Sequence, residues 1–407
     1  LESLRQHETT HFTLYVVCMD EMTRVILAQL DIPEICLIPL HEIEHRDEAL
    51  LSSKRSRSLV EYYWTMTPTI ILRILERHQK IDMLTYLDAD LFFFSSPQPI
   101  FEELGQNSIL IHEHRFSPSQ SHLSQHNGRF NVGLLCFRRD LYGFQALRWW
   151  RERCLEWCFA RYEEGKMGDQ LYLQDWPTRF KGVTVLQHHG GGVGPWNHDQ
   201  YDIHVLADGH TLVENAVLIF YHFHSLKLVS PDLAIPVSHP HYRLTIPVLT
   251  HCFIPYLEAL RRAYNCFSQV TPGTRWGLES SLEVPVQLSL MARRVLGEKL
   301  SSRTGAYQRA PLNDEWDVYC SEQVIDRANL SSVPLVTAQH ESTSGRRQSL
   351  VTPSIPVLLK DVPMAAGQSQ HELLTLLANT PIAREIHVLC VGGAHRYQER
   401  KLFAQLF

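Results

Sequence analysis

The sequence has no continuous run of about 18 apolar residues, the length that a transmembrane helix requires. It also lacks the basic segment and apolar stretch that open a secretory signal peptide, and it begins with Leu1 rather than Met. We therefore expect a protein without a transmembrane segment, in the cytoplasm or held peripherally at a membrane. The missing Met indicates either processing or a fragment.

Positive charge is scarce as well. The chain has 38 Lys and Arg against 44 Asp and Glu, a net charge of -6, which argues against a nucleic-acid partner. Its nine cysteines stand singly except for Cys154 and Cys158, and no second Cys or His pair at zinc-ligand spacing accompanies them. We expect these two thiols to pack on one helix face, and the odd number of cysteines favours a reducing compartment.

What the sequence does contain is typical of a globular α/β protein. Of its 407 residues, 44% are hydrophobic and 20% are charged. A strand over His11–Met19, a helix over Glu21–Leu30 and a strand over Ile35–Leu40 alternate in the way that α/β folds do. Residues 49–78 read as largely helical, with an interruption at Pro68.

Two aspartates interrupt a strongly apolar stretch between Tyr86 and Phe94. Asp88 and Asp90 stand one residue apart, directly after a predicted core strand. Desolvating two unpaired carboxylates is costly, so they need a cation or several hydrogen-bond donors. Mg²⁺ or Mn²⁺ would suit them, because these ions use one or two carboxylates and leave positions for phosphate oxygens. A strand-to-turn corner with a capping Asp is the alternative interpretation.

Two further strands end or begin in polar residues. The first runs into His112, Glu113 and His114, which suit an active site at a strand's carboxyl end, a metal pair or an exposed surface. The second contains Asn131 and Gly133 within an apolar run. This pattern indicates either a ligand that approaches the backbone or a β-bulge.

Polar and glycine-rich segments follow. Asp169 is a plausible helix N-cap, which leaves the adjacent Gln170 unexplained. Four glycines between 190 and 194 allow the backbone to pass close to a ligand, but the spacing and the absence of a following helix do not favour a dinucleotide loop. Further on, strand alternation places His222 and His224 on one face, with Lys227 beyond them. Each histidine alone is typical of a core position.

The order of these segments resembles the GT-A glycosyltransferases, most closely the glycogenin-like and bacterial galactosyltransferase-like enzymes of glycosyltransferase family eight. Residues 86–90 are similar to that family's YLDAD, 130–133 to its FNxG, 168–170 to its GDQ, 194–197 to its tryptophan-asparagine turn, and 222–227 to its HFxGxxK. The resemblance covers about residues 1–260. In the last motif the family has one more residue before its lysine.

The resemblance implies a GT-A Rossmann-like mixed sheet flanked by helices and a nucleotide-diphosphate sugar donor bound through Mn²⁺ or Mg²⁺. Asp88, Asp90 and His222 would be the metal ligands, with His224 as the alternative third ligand. Lys227 would contact the diphosphate, and Asn131, Asp169 and Gln170 the transferred sugar. Gly133, Trp196 and Asn197 would belong to the donor site, while Asp169 and Glu113 are the first candidates for a catalytic base. The acceptor would be a glycan or a lipid-linked molecule.

The same resemblance divides the chain into three parts. Residues 1–265 would form the GT-A domain without its first, base-binding strand, and 266–348 a helical and polar connector. Residues 349–407 would begin a second, GT-B-like domain containing a βαβ unit and are too short to complete it. We therefore expect a chain that is truncated at both ends and that could be inactive as it stands.

Two other functions remain as alternatives. A non-catalytic module that binds a nucleotide or a glycan would use the same residues without transferring a sugar. A phosphatase that uses Asp88 as its nucleophile is less well supported, because Phe92 stands where that family has Thr or Val. Consumption of a nucleotide sugar would separate the enzyme from the binding module.

Overall fold

The computed structural model describes residues 1–8, 11–230, 233–237 and 242–272, together with three strands at 308–311, 317–320 and 386–391. The described part is a mixed α/β structure, which confirms the fold class expected from the sequence. The predicted helices at 281–300 and 368–378 and the predicted strand and turn at 349–358 lie outside the described residues. Among the described helices, none is both long and apolar enough for a bilayer crossing.

The helices alternate with strands over most of this region. In chain order they are α1 (Glu2–His7), α2 (Glu21–Gln29), α3 (Leu40–Glu44), α4 (Glu48–Ser56), α5 (Leu59–Arg77), α6 (Gln98–Leu104), α7 (Ser124–Asn127), α8 (Leu141–Glu156), α9 (Trp176–Arg179), α10 (Ile246–Val248) and α11 (Ile254–Val270). Short 3₁₀ segments cover Pro118–Leu123, Gln170–Asp175 and His198–Gln200, and a π-helical turn covers Leu249–Phe253.

The strands form one large sheet and three small ones. They are β1 (Phe12–Cys18), β2 (Ile35–Pro39), β3 (Met83–Asp88), β4 (Leu91–Phe93), β5 (Ile109–Glu113), β6 (Phe130–Arg138), β7 (Val183–Val185), β8 (Ile203–Val205), β9 (Thr211–Val213), β10 (Ala216–Val217), β11 (Phe220–His222), β12 (Lys227–Ser230), β13 (Leu233–Ile235), β14 (Gln308–Pro311), β15 (Asp317–Cys320) and β16 (Ile386–Val391).

The large sheet has seven strands in the order β2-β1-β16-β3-β6-β5-β7. Strands β2, β1, β16 and β3 are parallel, β6 is antiparallel to both of its neighbours, and β7 is parallel to β5. Strands β8–β10 and β12–β15 form two of the small sheets, and β4 pairs with β11 in the third. The mixed sheet agrees with the Rossmann-like expectation.

A strand from far along the chain occupies a central place in this sheet. Strand β16 lies between β1 and β3 and is parallel to both, with Leu389 opposite Tyr15 on one side and Tyr86 on the other. The sequence predicted this strand, but in a second domain, and predicted that the first domain's sheet would lack one strand. The structure instead places β16 in the sheet of the first unit. The remainder of the predicted second domain lies outside the described residues.

Helices cover both faces of the large sheet. Helices α4, α5 and α8 pack on one face, around a core that contains Met66, Ile70, Tyr86 and Trp150. Helices α1, α2, α6 and α11 lie on the other face, around a second core. Cys154 and Cys158 are buried and free, as expected for packing residues, but they do not share a helix face, because α8 ends at Glu156 and Cys158 lies beyond it.

Helix α5 differs from the prediction in where it is interrupted. Pro68 lies inside the helix without ending it, and the break falls before Leu59. Ser58 begins α5 with a capping box that involves Glu61. Proline removes one helical hydrogen bond, but the residues around Pro68 are buried on nearly every side, so tertiary packing holds the helix. Arg57, at the break, donates to the backbone oxygens of Cys154 and Leu155 near the end of α8.

Candidate metal centre

Three neighbouring strands of the large sheet, β3, β6 and β5, place polar residues at the same end of the sheet. Strands β3 and β5 end there, and β6 begins there because it runs in the opposite direction. Asp88 is the last residue of β3, and His112 near the end of β5 lies opposite Asn131 near the start of β6. The sheet topology therefore brings together residues that are far apart in the sequence.

The pairing of β4 with β11 adds the second aspartate and a histidine. In this antiparallel pair, His222 is opposite Leu91, the residue after Asp90. The His222 Nε2 atom consequently lies 2.9 Å from Oδ1 of Asp90 and 3.7 Å from Oδ2 of Asp88. All three predicted metal ligands thus lie within a few ångströms of one another.

His224 joins the same cluster. One ligand atom from each of Asp90, His222 and His224 lies within 4.8 Å of the others. The cluster offers one carboxylate and two imidazoles, with Asp88 at its border. These groups are suitable ligands for a divalent cation with mixed oxygen and nitrogen coordination, so the residues present fit the metal that the sequence resemblance implies.

The two aspartates and His222 influence one another electrostatically. Burial raises the pKa of Asp88 to about 6; the charge of His222 opposes this rise, and that of Asp90 adds to it. The Tyr86 hydroxyl donates to Oδ1 of Asp88 at 2.6 Å. Burial alone would lower the pKa of His222, but Asp90 and Asp88 outweigh burial and raise it. The two carboxylates therefore stabilise a positive charge beside them, either on His222 or on a bound cation.

Asp169 lies next to this centre on the α5 side of the sheet. It stands at the N-cap position of the 3₁₀ segment Gln170–Asp175, as the sequence predicted, although its side chain makes no capping hydrogen bond. Burial, and after it the charge of Asp88, raises the pKa of Asp169 to about 8. Hydrogen bonding from the Thr67 hydroxyl acts in the opposite direction. Gln170 follows as a half-buried residue.

Asn131 and Gly133 pack against the histidines of the centre. The Asn131 side chain lies 3.1 Å from His114 Nε2, and its Oδ1 accepts from the Gly133 amide at 2.7 Å. A Cβ atom at position 133 would lie 2.6 Å from Asn131 Oδ1 and 2.6 Å from His222 Nδ1. A glycine is therefore required at position 133 by the close approach of two neighbouring side chains. The register of β5 against β6 shifts between Leu110, which pairs with Cys136, and His112, which pairs with Asn131, so an irregularity of the kind that the β-bulge interpretation predicted lies in this part of β6.

His114 is a buried structural residue and not part of a metal pair with Glu113. Its Nδ1 bonds to the Gly128 carbonyl at 3.1 Å, and burial lowers its pKa to about 3, so it stays neutral. Glu113 points elsewhere and forms an ion pair with Arg129. Glu113 is not among the residues that contact Asp88, Asp90, His222 or His224 in the metal centre, and its role as a base stays a prediction.

Trp196 forms a wall of the centre. Its ring lies 5.2 Å from that of His222, 6.1 Å from that of His224 and 5.3 Å from that of His114. Asn197 has a positioning role, since its amide donates to the backbone oxygens of His114 and Gly192 and accepts from Gly194. These bonds hold the glycine-rich loop against the end of β5.

The glycine-rich loop packs against protein atoms. A Cβ atom at Gly190 would lie 1.9 Å from the Val217 carbonyl oxygen, and one at Gly192 would lie 2.6 Å from His112 Nδ1. The close approach that the glycines predicted is thus to the protein's own backbone and side chains. Lys227 begins β12, five residues after His222, and is half-buried. Its contact with a diphosphate stays a prediction.

Sequence reasoning missed two residues of the centre. Tyr86, which bonds to Asp88, could have been found, because residues two apart in a strand share a face. Thr67 reaches Tyr86 and Asp169 from α5, and no sequence pattern links that helix position to the strand end.

Comparison with known proteins identifies two bacterial relatives. The chain is 33% identical to the Bacillus subtilis protein YfnF over 272 residues, which is 63% of this chain and 88% of YfnF. It is also 33% identical to YfnD of the same organism over 232 residues, which is 56% of this chain and 73% of YfnD. Both relatives are described as uncharacterized proteins. No protein-family model matches the chain.

Proposed function

The chain belongs to the family of the B. subtilis proteins YfnF and YfnD, and we propose that it is a metal-dependent glycosyltransferase. It would transfer a sugar from a nucleotide-diphosphate sugar to a glycan or lipid-linked acceptor. The main support for the proposal is that Asp88 and Asp90 both lie close to His222 at one end of the sheet. The order of sequence motifs that resembles glycosyltransferase family eight supports it.

Asp90 and His222 would hold Mn²⁺ or Mg²⁺, with Asp88 beside them. When bound, such an ion stabilises the negative charge that develops on a departing nucleoside diphosphate. The charges of the site support this choice, because two carboxylates in a partly buried site need a cation to offset their repulsion. Tyr86 orients Asp88 by its hydrogen bond to one carboxylate oxygen.

The neighbouring residues would bind the sugar. Asp169 is buried, interacts electrostatically with Asp88 and carries a proton at neutral pH, so it can donate a hydrogen bond to a sugar hydroxyl. Asn131 bonds to the amide of Gly133, which packs against His222, and Gln170 follows Asp169. Trp196 offers an apolar wall next to the histidines, and its Nε1 has no hydrogen-bond acceptor among the described residues. This mixture of apolar wall and polar groups is typical of small-molecule sites.

A thermal-shift screen tests the proposal. Unfolding of the full chain would be followed with nucleoside diphosphates and nucleotide sugars, each with Mn²⁺ and with EDTA. We expect at least one nucleotide to raise the melting temperature in Mn²⁺ only, because a ligand that binds the native state stabilises it. Asp90→Asn should abolish that shift, and Asp208→Asn, on an exposed loop, should keep it.

The outcomes separate the proposal from its alternative. Metal-dependent nucleotide binding without consumption of any nucleotide sugar would indicate the non-catalytic binding module. A screen in which neither nucleotides nor nucleotide sugars shift the unfolding of the wild-type chain in Mn²⁺ would contradict both readings.

A further inference from the structure

His224 lies in the metal centre although the aspartates and His222 already supply the expected ligands. Its side chain is half-buried, and its ring is 6.2 Å from that of His222 at an interplanar angle of 87°. We propose that His224 binds the cation directly, together with Asp90 and His222, and that the resulting pair of imidazoles makes the centre select Mn²⁺ over Mg²⁺. The inference rests on the metal site of the proposed function.

The ligand atoms of Asp90, His222 and His224 are spaced so that they can bind the same divalent cation. Metal–ligand bonds of about 2.1 Å in an octahedral shell place neighbouring ligand atoms about 3 Å apart and opposite ones about 4 Å apart. The Asp90 oxygen and the His222 nitrogen are 2.9 Å apart, as expected for neighbours. The ligand atom of His224 lies within 4.8 Å of both, so a side-chain movement of at most about 2 Å would complete the shell.

The surroundings hold both imidazoles in place. Trp196 packs edge-on against the His222 ring at 83° and also lies against the His224 ring. The indole is buried, with 3% of its surface exposed, so it restricts the rotamers of both histidines. Ligands that are already oriented lose little conformational entropy when they bind a metal. Trp196 is therefore a positioning residue for this centre.

The ligand types determine the metal preference. Mg²⁺ favours carboxylate, carbonyl and water oxygens, whereas imidazole suits transition metals. With one imidazole, Mn²⁺ and Mg²⁺ would compete closely at such a centre. With two, affinity should follow the order Mg²⁺, Mn²⁺, Co²⁺, from weakest to tightest. Three protein ligands still leave about half of an octahedral shell for Asp88, water or phosphate oxygens.

Electron spin-echo spectroscopy of the full chain loaded with Mn²⁺ alone counts the coupled imidazole nitrogens. We expect two in the wild-type protein, one in His224→Gln and two in His210→Gln, the matched control at an exposed histidine. Calorimetric titration should show Mn²⁺ affinity at least about tenfold lower in His224→Gln, with Mg²⁺ affinity nearly unchanged.

One coupled nitrogen in the wild-type protein would overturn the inference without any variant. An unchanged ratio of Mn²⁺ to Mg²⁺ affinity in a folded His224→Gln protein would overturn it as well. The failure of the proposed function can be told apart from the failure of this inference. Two coupled nitrogens without nucleotide binding would support His224 as a ligand and contradict the glycosyltransferase. Turnover of a nucleotide sugar with a single coupled nitrogen would support the glycosyltransferase and contradict His224 as a ligand.

Discussion

Oδ1 of Asp90 lies 2.9 Å from Nε2 of His222, although the two residues belong to distant parts of the chain. The contact depends on two short strands, β4 and β11, which pair so that His222 faces the residue after Asp90. This small sheet, together with the end of β3, brings the carboxylates and imidazoles to one place.

Replacing Gly133 by alanine should damage the metal centre from outside its ligand set. The new Cβ atom would come within 2.6 Å of His222 Nδ1 and Asn131 Oδ1, so His222 must move. We expect Mn²⁺ affinity to fall at least about tenfold and the free energy of unfolding to fall by about 1–3 kcal/mol. Titration calorimetry and denaturant unfolding measure the two effects.

Gly165→Ala is the matched control. Unlike Gly133, it stands at a positive φ, of 78°, and no heavy atom lies within 4 Å of its Cβ position. It should lose stability through backbone strain alone and bind Mn²⁺ normally. Equal Mn²⁺ affinity in Gly133→Ala and wild type would show that the tight packing does not hold His222.

Asp169→Ala should separate sugar handling from metal binding. At pH 7 the Asp169 carboxyl is protonated because burial and Asp88 raise its pKa to about 8, so Asp169→Ala removes a hydrogen-bond donor and Asp169→Asn keeps one. We expect Mn²⁺ affinity within a factor of about three of wild type in both variants, and sugar transfer lower by about 100-fold in Asp169→Ala only. Asp175→Asn, at an exposed ion pair with Arg179, is the control. Full activity in a folded Asp169→Ala protein would remove Asp169 from the site.

The Asp169 carboxyl should also make the free energy of unfolding depend on pH. Its folded pKa lies above its unfolded value of 3.8, so the folded state holds the proton and loses stability as pH rises from about 4 through 8. In metal-free protein, Asp169→Asn should therefore become more stable relative to wild type as pH increases from 6 to 9. A stability difference that does not change over this range would contradict the raised pKa.

His114 should make the protein sensitive to mild acid. Its folded pKa of about 3 lies below the unfolded value of 6.5, so the unfolded state takes up a proton first and stability falls as pH drops below 6.5. This group alone should cost about 1.4 kcal/mol at pH 5.5. His114→Gln should flatten the pH dependence of unfolding in metal-free protein, and His210→Gln should leave it unchanged. Parallel curves for all three proteins would contradict the assignment.

Strand β16 should be as well protected as the strands beside it. Hydrogen exchange of the full chain should show slow amide exchange over Ile386–Val391, similar to that of β1 and β3, because backbone groups on both sides are paired. Leu389→Pro removes a backbone donor in the middle of the sheet and should cost about 3 kcal/mol or more. It should also weaken Mn²⁺ binding, since Val391 is paired with Asp88.

Leu206→Pro is the corresponding control at the surface. It removes the hydrogen bond from the Leu206 amide to the His210 carbonyl in an exposed hairpin. This hairpin joins β8 and β9, which belong to a small sheet and not to the large one. Leu206→Pro should cost less stability and leave metal binding intact. Exchange over Ile386–Val391 as fast as in an unstructured peptide would show that β16 does not belong to the sheet.

Local patterns in the sequence predicted many of the elements but little of their arrangement. Apolar runs identified β1, β2, β3 and β6, and alternation placed His222 and His224 on one side, because these patterns depend on near neighbours. The fate of Pro68 depends on packing around the whole of α5, which no local rule contains. The place of β16 depends on pairing with strands more than 300 positions earlier in the chain.

The site shows the same division. The spacing of Asp88 and Asp90 predicted a cation site, the sequence resemblance added His222 and His224, and the structure brings Asp90 and both histidines together. The sequence predicted the N-cap position of Asp169, but its burial next to Asp88 depends on tertiary packing that no local pattern contains. The glycine-rich loop and Asn197 contact other parts of the protein, and a role of either at a donor stays a prediction.

The most direct measurement is release of nucleoside diphosphate from a panel of nucleotide sugars by the full chain and by Asp90→Asn. We expect at least one donor to be consumed in Mn²⁺ and none in EDTA, and Asp90→Asn to be slower by at least about 100-fold. Failure of the folded wild-type chain to consume any nucleotide sugar in Mn²⁺, or equal rates in Asp90→Asn and wild type, would contradict the proposed function.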